Sequence, residues 1–464
     1  MDFSSWTFWL TVLPSMLVMV IICTHIKNNQ LRVWISKWSL CVLSLSLLGM
    51  VSIETLGIFL FVALIAYVGC LIFQKTEYKN FFLLIIIPIL LLPLLYYKYA
   101  YFISSEIFNK EWDTLRVLII PIGISFYTFQ VIAFCIDTLR RNQTVPSFID
   151  YMNFCSFFPQ IVAGPIERKD SLLPQMEAWR CRLESSSIAQ GIPYIILGLF
   201  FKLALADNLA VAMNVGYSGD NAFQVWANNI AFGFRIYFDF AGYGLSAYGI
   251  AKCLGIHITM NFMSPYTCSN VTDFWRKWHI SLTLWFRDYI YFALGGSRIR
   301  LWWFNIIFMF LISGIWHGAG WNFIIWGILA GITMVIHRLF RNTGKSIPSF
   351  LGWLLTMLTM MFIWMFFYET DMELVSRYFL SIFDLSCYNI SNYIDILNAN
   401  KAQGACLLVF VPISLAIILT EYVSHVKYSH PYAIFLTPKA CFILTVLMFM
   451  LHCGQQSKFI YFAF

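Results

Sequence analysis

Two histidines stand in a chain that is otherwise rich in apolar residues. His279 ends the run Asp273-Phe-Trp-Arg-Lys-Trp-His279, and His317 lies in Ser313-Gly-Ile-Trp-His317-Gly-Ala-Gly. Histidine titrates near neutral pH and can exchange a proton with a substrate. An ionisable side chain at membrane depth is costly and by default marks a functional site. We therefore place the chemistry at this pair.

Each histidine also has a structural interpretation. His317 could be a hydrogen-bonding residue between membrane helices, which on chemistry alone weighs about as much as catalysis. His279 could be an interfacial histidine, an interpretation slightly favoured when this residue is considered alone. Asp239 is expected to pair with an arginine or a hydroxyl rather than to act as a catalytic acid. The sequence leaves these alternatives open.

The amino-acid composition indicates that this chain lies in a lipid bilayer. Of its 464 residues, 60% are hydrophobic and 11% are charged, whereas soluble domains carry roughly a quarter charged residues. We therefore predict an all-α integral membrane protein with many passes, whose constant partners are membrane lipids.

Charge and cysteine content exclude other classes of protein. The net charge of +7 has no run of Lys or Arg behind it, so we interpret it as the loop bias of the positive-inside rule. Nucleic acid is not expected as a partner. The 12 cysteines lie mostly in apolar stretches without Cys-x-x-Cys spacing, which is typical of buried small hydrophobes. Neither a metal site nor a bound cofactor is predicted.

Apolar stretches divide the chain into about 11 spans of roughly 20 residues each. They form a single transmembrane domain over residues 1–464, and the long stretch 38–73 should hold two spans because Ser52-Ile-Glu54 interrupts it. No internal repeat is found, which argues against an inverted-repeat transporter. The stretches are 8–24, 38–73, 81–97, 114–135, 188–205, 225–240, 302–316, 321–336, 350–367, 405–420 and 435–450.

The segment 154–175 is apolar but broken by Pro159, Gly164, Pro165 and Pro174. Irregular backbone at membrane depth is tolerated only where protein or a water-filled cavity satisfies its polar groups. We expect a re-entrant or cavity-lining segment here, at even odds against an interfacial loop.

The residues on either side of His279 have helical spacing. Trp275, Trp278 and Leu282 recur at this spacing, and Arg276 lies on another face. A short amphipathic helix could hold its cations among lipid headgroups while His279 points inward.

Six motifs follow one another in the middle of the chain. They are Phe157-Phe-Pro-Gln-Ile-Val-Ala-Gly-Pro-Ile166, Ile236-Tyr-Phe-Asp-Phe-Ala-Gly-Tyr243, Asp273-Phe-Trp-Arg-Lys-Trp-His-Ile-Ser-Leu282, Phe286-Arg-Asp-Tyr-Ile-Tyr291, Gly295-Gly-Ser-Arg298 and Gly314-Ile-Trp-His-Gly-Ala-Gly-Trp321. Together they resemble the membrane-bound O-acyltransferase family, in the bacterial branch of the alginate O-acetyltransferase membrane subunit and the D-alanyl-lipoteichoic acid transfer protein. The chain departs from that pattern at Lys277, where the family has Arg, and after Phe240.

The resemblance implies a fold and two roles. It implies re-entrant segments around a central tunnel that crosses the membrane, with a catalytic core over about residues 115–340. His317 matches the proposed catalytic base, which would take a proton from an acceptor hydroxyl. His279 would orient the acceptor or stabilise charge on the thioester oxygen. A covalent acyl group on His317 is the alternative mechanism.

The resemblance also implies a set of residues at the tunnel and the donor. Arg287, Arg298 and Lys277 would contact the phosphates of coenzyme A or phosphopantetheine, and the alternative is that they are only anchors among lipid headgroups. The expected residues are Asp239, Trp275, Arg276, Trp278, Arg287, Asp288, Arg298, Trp316, Pro159 and Gly164.

The function implied is the relay of an acyl group across the bacterial cytoplasmic (inner) membrane. An acetyl group would pass from acetyl-CoA or another acyl thioester, made in the cytoplasm, to a hydroxyl of a cell-surface polysaccharide. An exported acyltransferase or esterase-like protein is the expected partner, and an acyl carrier protein is a second. Two alternatives remain at this point: D-alanyl transfer to teichoic acid, and a polytopic transporter or flippase without enzymatic activity.

The charge bias of short loops predicts the orientation of the chain. The loops 75–79 and 140–141 are basic and should be cytoplasmic, whereas residues 106–113 are acidic and, like the amino terminus, should be external. A Tyr78→Cys variant on a cysteine-depleted background should therefore resist an impermeant thiol reagent in intact cells. Labelling of that cysteine without permeabilisation would contradict the orientation.

Overall fold

Helices account for every regular element in the part of the chain that the computed structural model describes. The described residues are 3–141, 143–213, 219–452, 454, 457 and 459–460. Within them the chain forms two compact units. The first unit comprises the residues up to Ile195 together with Gly244–Met260, and the second comprises Ile196–Tyr243 together with the residues from Asn261 onward.

Eight helical segments in the described ranges are long and apolar enough to cross a membrane. Each has few charged residues over the length that a bilayer requires. They are Trp6–His25, Asn29–Val51, Ile53–Phe73, Lys79–Ile107, Ser185–Ala212, Trp321–Asn342, Ser349–Tyr368 and Lys401–Tyr428. Two shorter apolar helices, Trp302–His317 and Pro438–Leu451, accompany them. The prediction of an all-helical membrane protein is confirmed.

Among its described residues, the first unit contains nine whole α-helices and parts of two others. They are α1 (Trp6–His25), α2 (Asn29–Val51), α3 (Ile53–Phe73), α4 (Lys79–Leu94), α5 (Ala100–Phe102), α6 (Asp113–Arg116), α7 (Ile124–Arg140), α8 (Phe148–Ser156), α9 (Lys169–Ala178) and the start of α10 (Ser185–Phe200). The π-helical turns Leu95–Tyr99 and Ile103–Ile107 prolong α4. The last residues of a further helix, α12 (Ala222–Cys253), complete this unit.

The predicted break at Ser52 is confirmed. Ser52 has an extended backbone between α2 and α3, and its hydroxyl accepts a hydrogen bond from the Thr55 N–H at 3.3 Å. A side-chain oxygen in this position satisfies a backbone donor that a helix start leaves open. The preceding span is longer than expected, because Asn28 caps α2 and the helix starts at Asn29 rather than near residue 38.

The stretch 114–135 was expected to form one span, and this boundary is wrong. The helix α7 begins only at Ile124, after a break that contains Pro121 and Gly123. Gly123 has φ of 76°, and a Cβ there would lie 2.5 Å from the Ile161 carbonyl oxygen. Glycine is required because the backbone is left-handed and another chain segment lies against it. Most residues of α7 are buried, as is typical of an interior helix.

The segment 157–168 is irregular, as the sequence indicated, and it is buried. The Gly164 N–H donates to the Gln160 carbonyl at 2.8 Å, and the Gln160 side chain donates to the Phe154 carbonyl at 3.1 Å. The buried Glu167 carboxylate accepts the Thr259 N–H at 2.5 Å. The segment thus bonds within its own backbone at Gly164 and Gln160, and its buried polar side chains bond to neighbouring backbone, as irregular chain away from water requires.

The second unit holds the remaining helices. They are the end of α10, α11 (Asp207–Ala212), the larger part of α12 (Ala222–Cys253), α13 (Val271–Lys277), α14 (Ile280–Phe286), α15 (Trp302–His317), α16 (Trp321–Asn342), α17 (Ser349–Tyr368), α18 (Met372–Phe383), α19 (Ile390–Ala399), α20 (Lys401–Tyr428) and α21 (Pro438–Leu451). The π-helices Phe201–Ala206 and Arg287–Tyr291 and the 3-10 turns Pro265–Thr267 and Leu385–Cys387 join them.

Glycines allow α15 and α16 to pack backbone against backbone. A Cβ on Gly314 would lie 2.2 Å from the Phe323 carbonyl oxygen, and one on Gly327 would lie 2.5 Å from the Phe310 carbonyl oxygen. Small residues at such a contact let membrane helices approach closely. The two helices form a hairpin whose tip carries His317, so this contact fixes the position of that histidine.

This packing predicts a loss of stability in Gly314→Ala. The added methyl group has no space, so the free energy of unfolding should fall by about 1–3 kcal/mol. Thermal unfolding of purified protein in detergent measures the change. Gly57→Ala in α3 is the matched control, because a Cβ there has no atom within 4 Å. Equal melting temperatures for the two variants would contradict the close contact.

Candidate functional site

Both histidines line one partly enclosed cavity of about 30 Å³ in the second unit. A volume of this size holds roughly one water molecule. Its other lining residues are Trp275, Trp278, Leu282, Thr283, Phe286, Met309, Phe310, Ser313 and Trp326. The cavity is therefore mostly aromatic, with a few polar groups that converge on the same space, which is the usual character of a small-molecule site.

His279 has an unusual backbone conformation. It lies between α13 and α14 with φ of 43° and ψ of 55°, in the left-handed region. A residue with a Cβ is disfavoured there and persists only when its surroundings hold it in place. Such strain clusters at functional sites, so the backbone marks His279 independently of its side-chain chemistry.

Asn261 holds the chain on the carboxyl side of His279. Its carbonyl accepts the Ile280 N–H at 2.9 Å, and its side-chain oxygen accepts the Ser281 N–H at 3.2 Å. These donors belong to the first turn of α14, where backbone N–H groups have no partner within the helix. Asn261, although distant in sequence, thus caps the helix that His279 precedes.

Aromatic rings surround the His279 imidazole. The Phe240 ring centroid lies 4.6 Å away, and the centroids of Trp316 and Phe262 lie 6.2 Å and 6.3 Å away. His279 lies outside the candidate membrane spans, and its burial lowers the pKa of its imidazole to about 3. The ring is therefore neutral at physiological pH, which suits it to donate or accept a hydrogen bond rather than to carry charge.

His317 is the last residue of α15 and is also buried. Its ring centroid lies 5.1 Å from those of Trp326 and Phe367 and 4.9 Å from that of Trp316. The next residue, Gly318, has no space for a side chain. A Cβ there would lie 2.0 Å from the Phe323 ring, so internal packing requires this glycine.

The predicted tryptophans lie at this cavity. Trp275 and Trp278 line it, and the Trp316 ring contacts the rings of both histidines. Two polar lining residues, Thr283 and Ser313, were not predicted. Thr283 follows His279 by four residues and Ser313 precedes His317 by four, so helical spacing on the histidine-bearing face could have identified them.

The predicted charged residues do not line the cavity. Arg276 bonds to Asp273 at 3.1 Å, and Arg287 bonds to its neighbour Asp288 at 2.7 Å, both with substantially exposed guanidinium groups. Arg298 is exposed in the turn before α15.

Asp239 lies in a buried ion cluster. Lys202 contacts Asp239 at 2.8 Å and Asp207 at 2.9 Å, and all three side chains are buried. The expected partner of Asp239 was an arginine or a hydroxyl, and the structure places a lysine there. The apolar stretch 188–205 contains no other charged residue, so Lys202 could have been identified as a costly buried cation.

The carboxylates of the ion cluster accept hydrogen bonds from two residues late in the chain. The Ser457 hydroxyl donates to Asp207 at 2.6 Å, and the Ile460 N–H donates to Asp239 at 2.7 Å. Phe459, between them, lies 5.8 Å from the Phe240 ring that contacts His279. Asp239 thus lies outside the cavity, and the rings of Phe459 and Phe240 lie between the residues it binds and His279.

Pro159 and Gly164 lie in the first unit, in the buried irregular segment. A Cβ on Gly164 would lie 2.3 Å from the Gln160 Cα, so its own turn requires glycine. Throughout the described ranges, no group of three or more His, Cys, Asp or Glu side chains could hold a metal ion.

Comparisons with known proteins agree with the motifs. The profile of the membrane-bound O-acyltransferase family matches residues 6–375. A peptidoglycan O-acetyltransferase of Helicobacter pylori is 31% identical over 443 residues, which cover 84% of each chain. A probable alginate O-acetylase of Azotobacter vinelandii is 31% identical over 72% of this chain and 68% of its own. A teichoic acid D-alanyltransferase of Bacillus subtilis is 31% identical over 49% of this chain and 62% of its own.

The ion cluster predicts a large effect of Lys202→Met on stability. Removing the lysine leaves two buried carboxylates without their cation, which costs roughly 3–5 kcal/mol. Thermal unfolding in detergent should show a strong decrease in Tm. Arg377→Met is the control, because Arg377 pairs with Glu373 at 2.6 Å on the exposed surface of α18, where such pairs contribute little. A Lys202→Met protein as stable as the control would contradict the role of the cluster.

Proposed function

The chain belongs to the membrane-bound O-acyltransferase family and is an acyltransferase, and we propose that it moves an acetyl group from a thioester to a hydroxyl of a cell-surface polysaccharide. The observation that carries this proposal is the cavity shared by His279 and His317. Acyl transfer to an alcohol needs a base beside the reacting hydroxyl, and imidazole is suited to that task.

The acetyl group is favoured over larger or charged acyl groups by two observations. The peptidoglycan O-acetyltransferase matches 84% of this chain, whereas the teichoic acid D-alanyltransferase matches 49%. The cavity is small and aromatic, and no carboxylate lines it. A D-alanyl group carries an ammonium, whose burial requires a paired charge.

In the proposed reaction His317 is the general base. Its imidazole accepts the proton of the acceptor hydroxyl as the oxygen attacks the thioester carbonyl carbon. The carbon–sulfur bond then breaks, and the imidazolium returns the proton to the departing thiolate. The products are an ester and a thiol, and the histidine ends neutral as it began. Effects of this kind contribute roughly a hundred- to ten-thousand-fold in rate.

The second histidine has a different role in this scheme. Its neutral ring can donate an N–H to the carbonyl oxygen, where negative charge develops during attack. Donors placed in advance in a dry site stabilise that charge strongly. The left-handed backbone of His279 and the surrounding rings supply the fixed orientation that such a donor needs.

The direction of transfer follows from where the reactants occur. Acetyl-CoA or another acyl thioester is made in the cytoplasm, and the acceptor polysaccharide lies outside the cytoplasmic (inner) membrane of a bacterium. We propose a tunnel across the membrane with re-entrant segments beside it, within about 11 crossings in which shorter helices supplement the candidate spans. Pro159 and Gly164 belong to the segment proposed to line it.

The proposed function also involves partner proteins on both sides of the membrane. An exported acyltransferase or esterase-like protein would receive the acetyl group and pass it to the sugar, and an acyl carrier protein could replace coenzyme A as the donor. Arg276, Arg287 and Arg298 are exposed cations of the second unit and are the proposed contacts for donor phosphates.

The two histidine variants test the reaction. His317→Ala should lose roughly a hundred- to ten-thousand-fold in acetyl transfer, and His279→Ala should lose less because the base remains. The assay uses purified protein in liposomes with acetyl-CoA and a soluble glycan acceptor, normalised to monodisperse protein.

The exposed His25 at the end of α1 supplies the control, since His25→Ala should retain full turnover. Near wild-type turnover of His317→Ala would reject this residue as the base. If the wild-type protein transferred D-alanine but not acetate, the acyl group would be D-alanyl and the proposal of acetyl transfer would be rejected.

A further inference from the structure

Helix α20 carries a fully buried carboxyl group, that of Glu421. Its Oε1 atom accepts a hydrogen bond from the Tyr237 hydroxyl at 2.8 Å, and its Oε2 atom accepts one from the Ser264 hydroxyl at 2.6 Å. A buried carboxyl group is costly and persists where its oxygens have good donors. The reaction scheme gives Glu421 no direct part, so its presence needs another explanation.

The partners of Glu421 lie on or beside an irregular segment, residues 261–266. Ser264 has φ of 57°, which is a left-handed backbone for a residue with a side chain. A second anchor lies close by, where the Tyr432 hydroxyl donates to the Phe262 carbonyl at 3.0 Å and lies 3.4 Å from the Tyr237 hydroxyl. Glu421 therefore closes a network that fixes the 261–266 segment at two points.

The same segment holds His279. Asn261 accepts the N–H groups of Ile280 and Ser281, and the Met263 N–H donates to the Lys277 carbonyl at 3.1 Å. These bonds fall on both sides of His279, whose own φ is 43°. Two left-handed residues, Ser264 and His279, thus belong to one hydrogen-bonded unit, and the contacts of that unit hold both backbones in a disfavoured conformation.

We propose that Glu421 is a positioning residue for acyl transfer, acting through the 261–266 segment to hold the His279 ring in the cavity. This inference rests on the proposed role of His279. A carboxyl group suits this role because each of its two oxygens accepts a hydrogen bond from a different hydroxyl, here those of Tyr237 and Ser264. Glu421 thereby joins α12 to the 261–266 segment. Glutamine has the same shape and can also bond two hydroxyls, since a hydroxyl can accept from its amide.

The first measurement is the rate at which diethyl pyrocarbonate modifies each histidine, followed by mass spectrometry of detergent-solubilised protein. Glu421→Ala should raise the modification rate of His279 by roughly tenfold or more as the segment opens locally. The modification rate of His317 should not change, because this residue lies on α15 and not beside the 261–266 segment. Glu421→Gln should keep both rates close to wild type.

The second measurement is the kinetics of acetyl transfer. Misplacement of a reacting group by about 1 Å can cost roughly 100-fold in rate, so Glu421→Ala should lower kcat to that extent. The KM for acetyl-CoA should stay constant because Glu421 does not line the cavity. Ser414→Ala is the matched control, since Ser414 is buried on the same helix and bonds only to the Phe410 carbonyl.

Ser264→Ala provides a milder variant that removes one bond of the network if Glu421→Ala does not fold. It should raise the modification rate of His279 but not that of His317. An unchanged His279 rate in either folded variant, or equal increases for both histidines, would overturn the positioning role. A selective increase at His279 in a protein whose wild type transfers no acetyl group would support positioning and reject the proposed reaction.

Discussion

The left-handed backbone at His279 is the constraint on which the rest of the site depends. Such a conformation costs roughly 1–3 kcal/mol for a residue with a side chain, and surrounding contacts must offset it. Asn261 accepts hydrogen bonds from the backbone just after His279. The rings of Phe240 and Trp316 lie beside the His279 imidazole. These aromatic residues thus have a local role, because their rigid rings hold the His279 imidazole in the cavity.

His317 reaches the same cavity by an independent route. The hairpin of α15 and α16 depends on Gly314 and Gly327, which let the two backbones touch, and its tip carries the histidine. One histidine is therefore positioned by a strained turn and the other by a helix contact. The nearby buried ions lie outside the cavity: Lys202 pairs with both Asp239 and Asp207, and aromatic rings separate this cluster from His279. An uncharged cavity suits a reaction that begins and ends with neutral histidines.

Composition and local pattern predicted the membrane class and the break at Ser52, because these follow from hydropathy and capping. They also singled out two histidines distant in sequence, and the structure places both at one cavity. Contacts between distant segments could not be predicted in this way. Nothing in the local sequence pairs Asp239 with Lys202, or Glu421 with Ser264. The start of α7 was missed because it depends on Gly123 lying against the Ile161 carbonyl, a tertiary contact.

In the proposed mechanism both histidines act on one reacting group in the cavity of the second unit. A structure of the protein with a non-reactive ketone analogue of acetyl-CoA, determined by electron cryomicroscopy, tests this most directly. The ketone carbonyl is expected between the imidazoles of His279 and His317, with Trp275 and Trp278 against the methyl group. Density for the ketone outside this cavity, with the cavity closed, would contradict it.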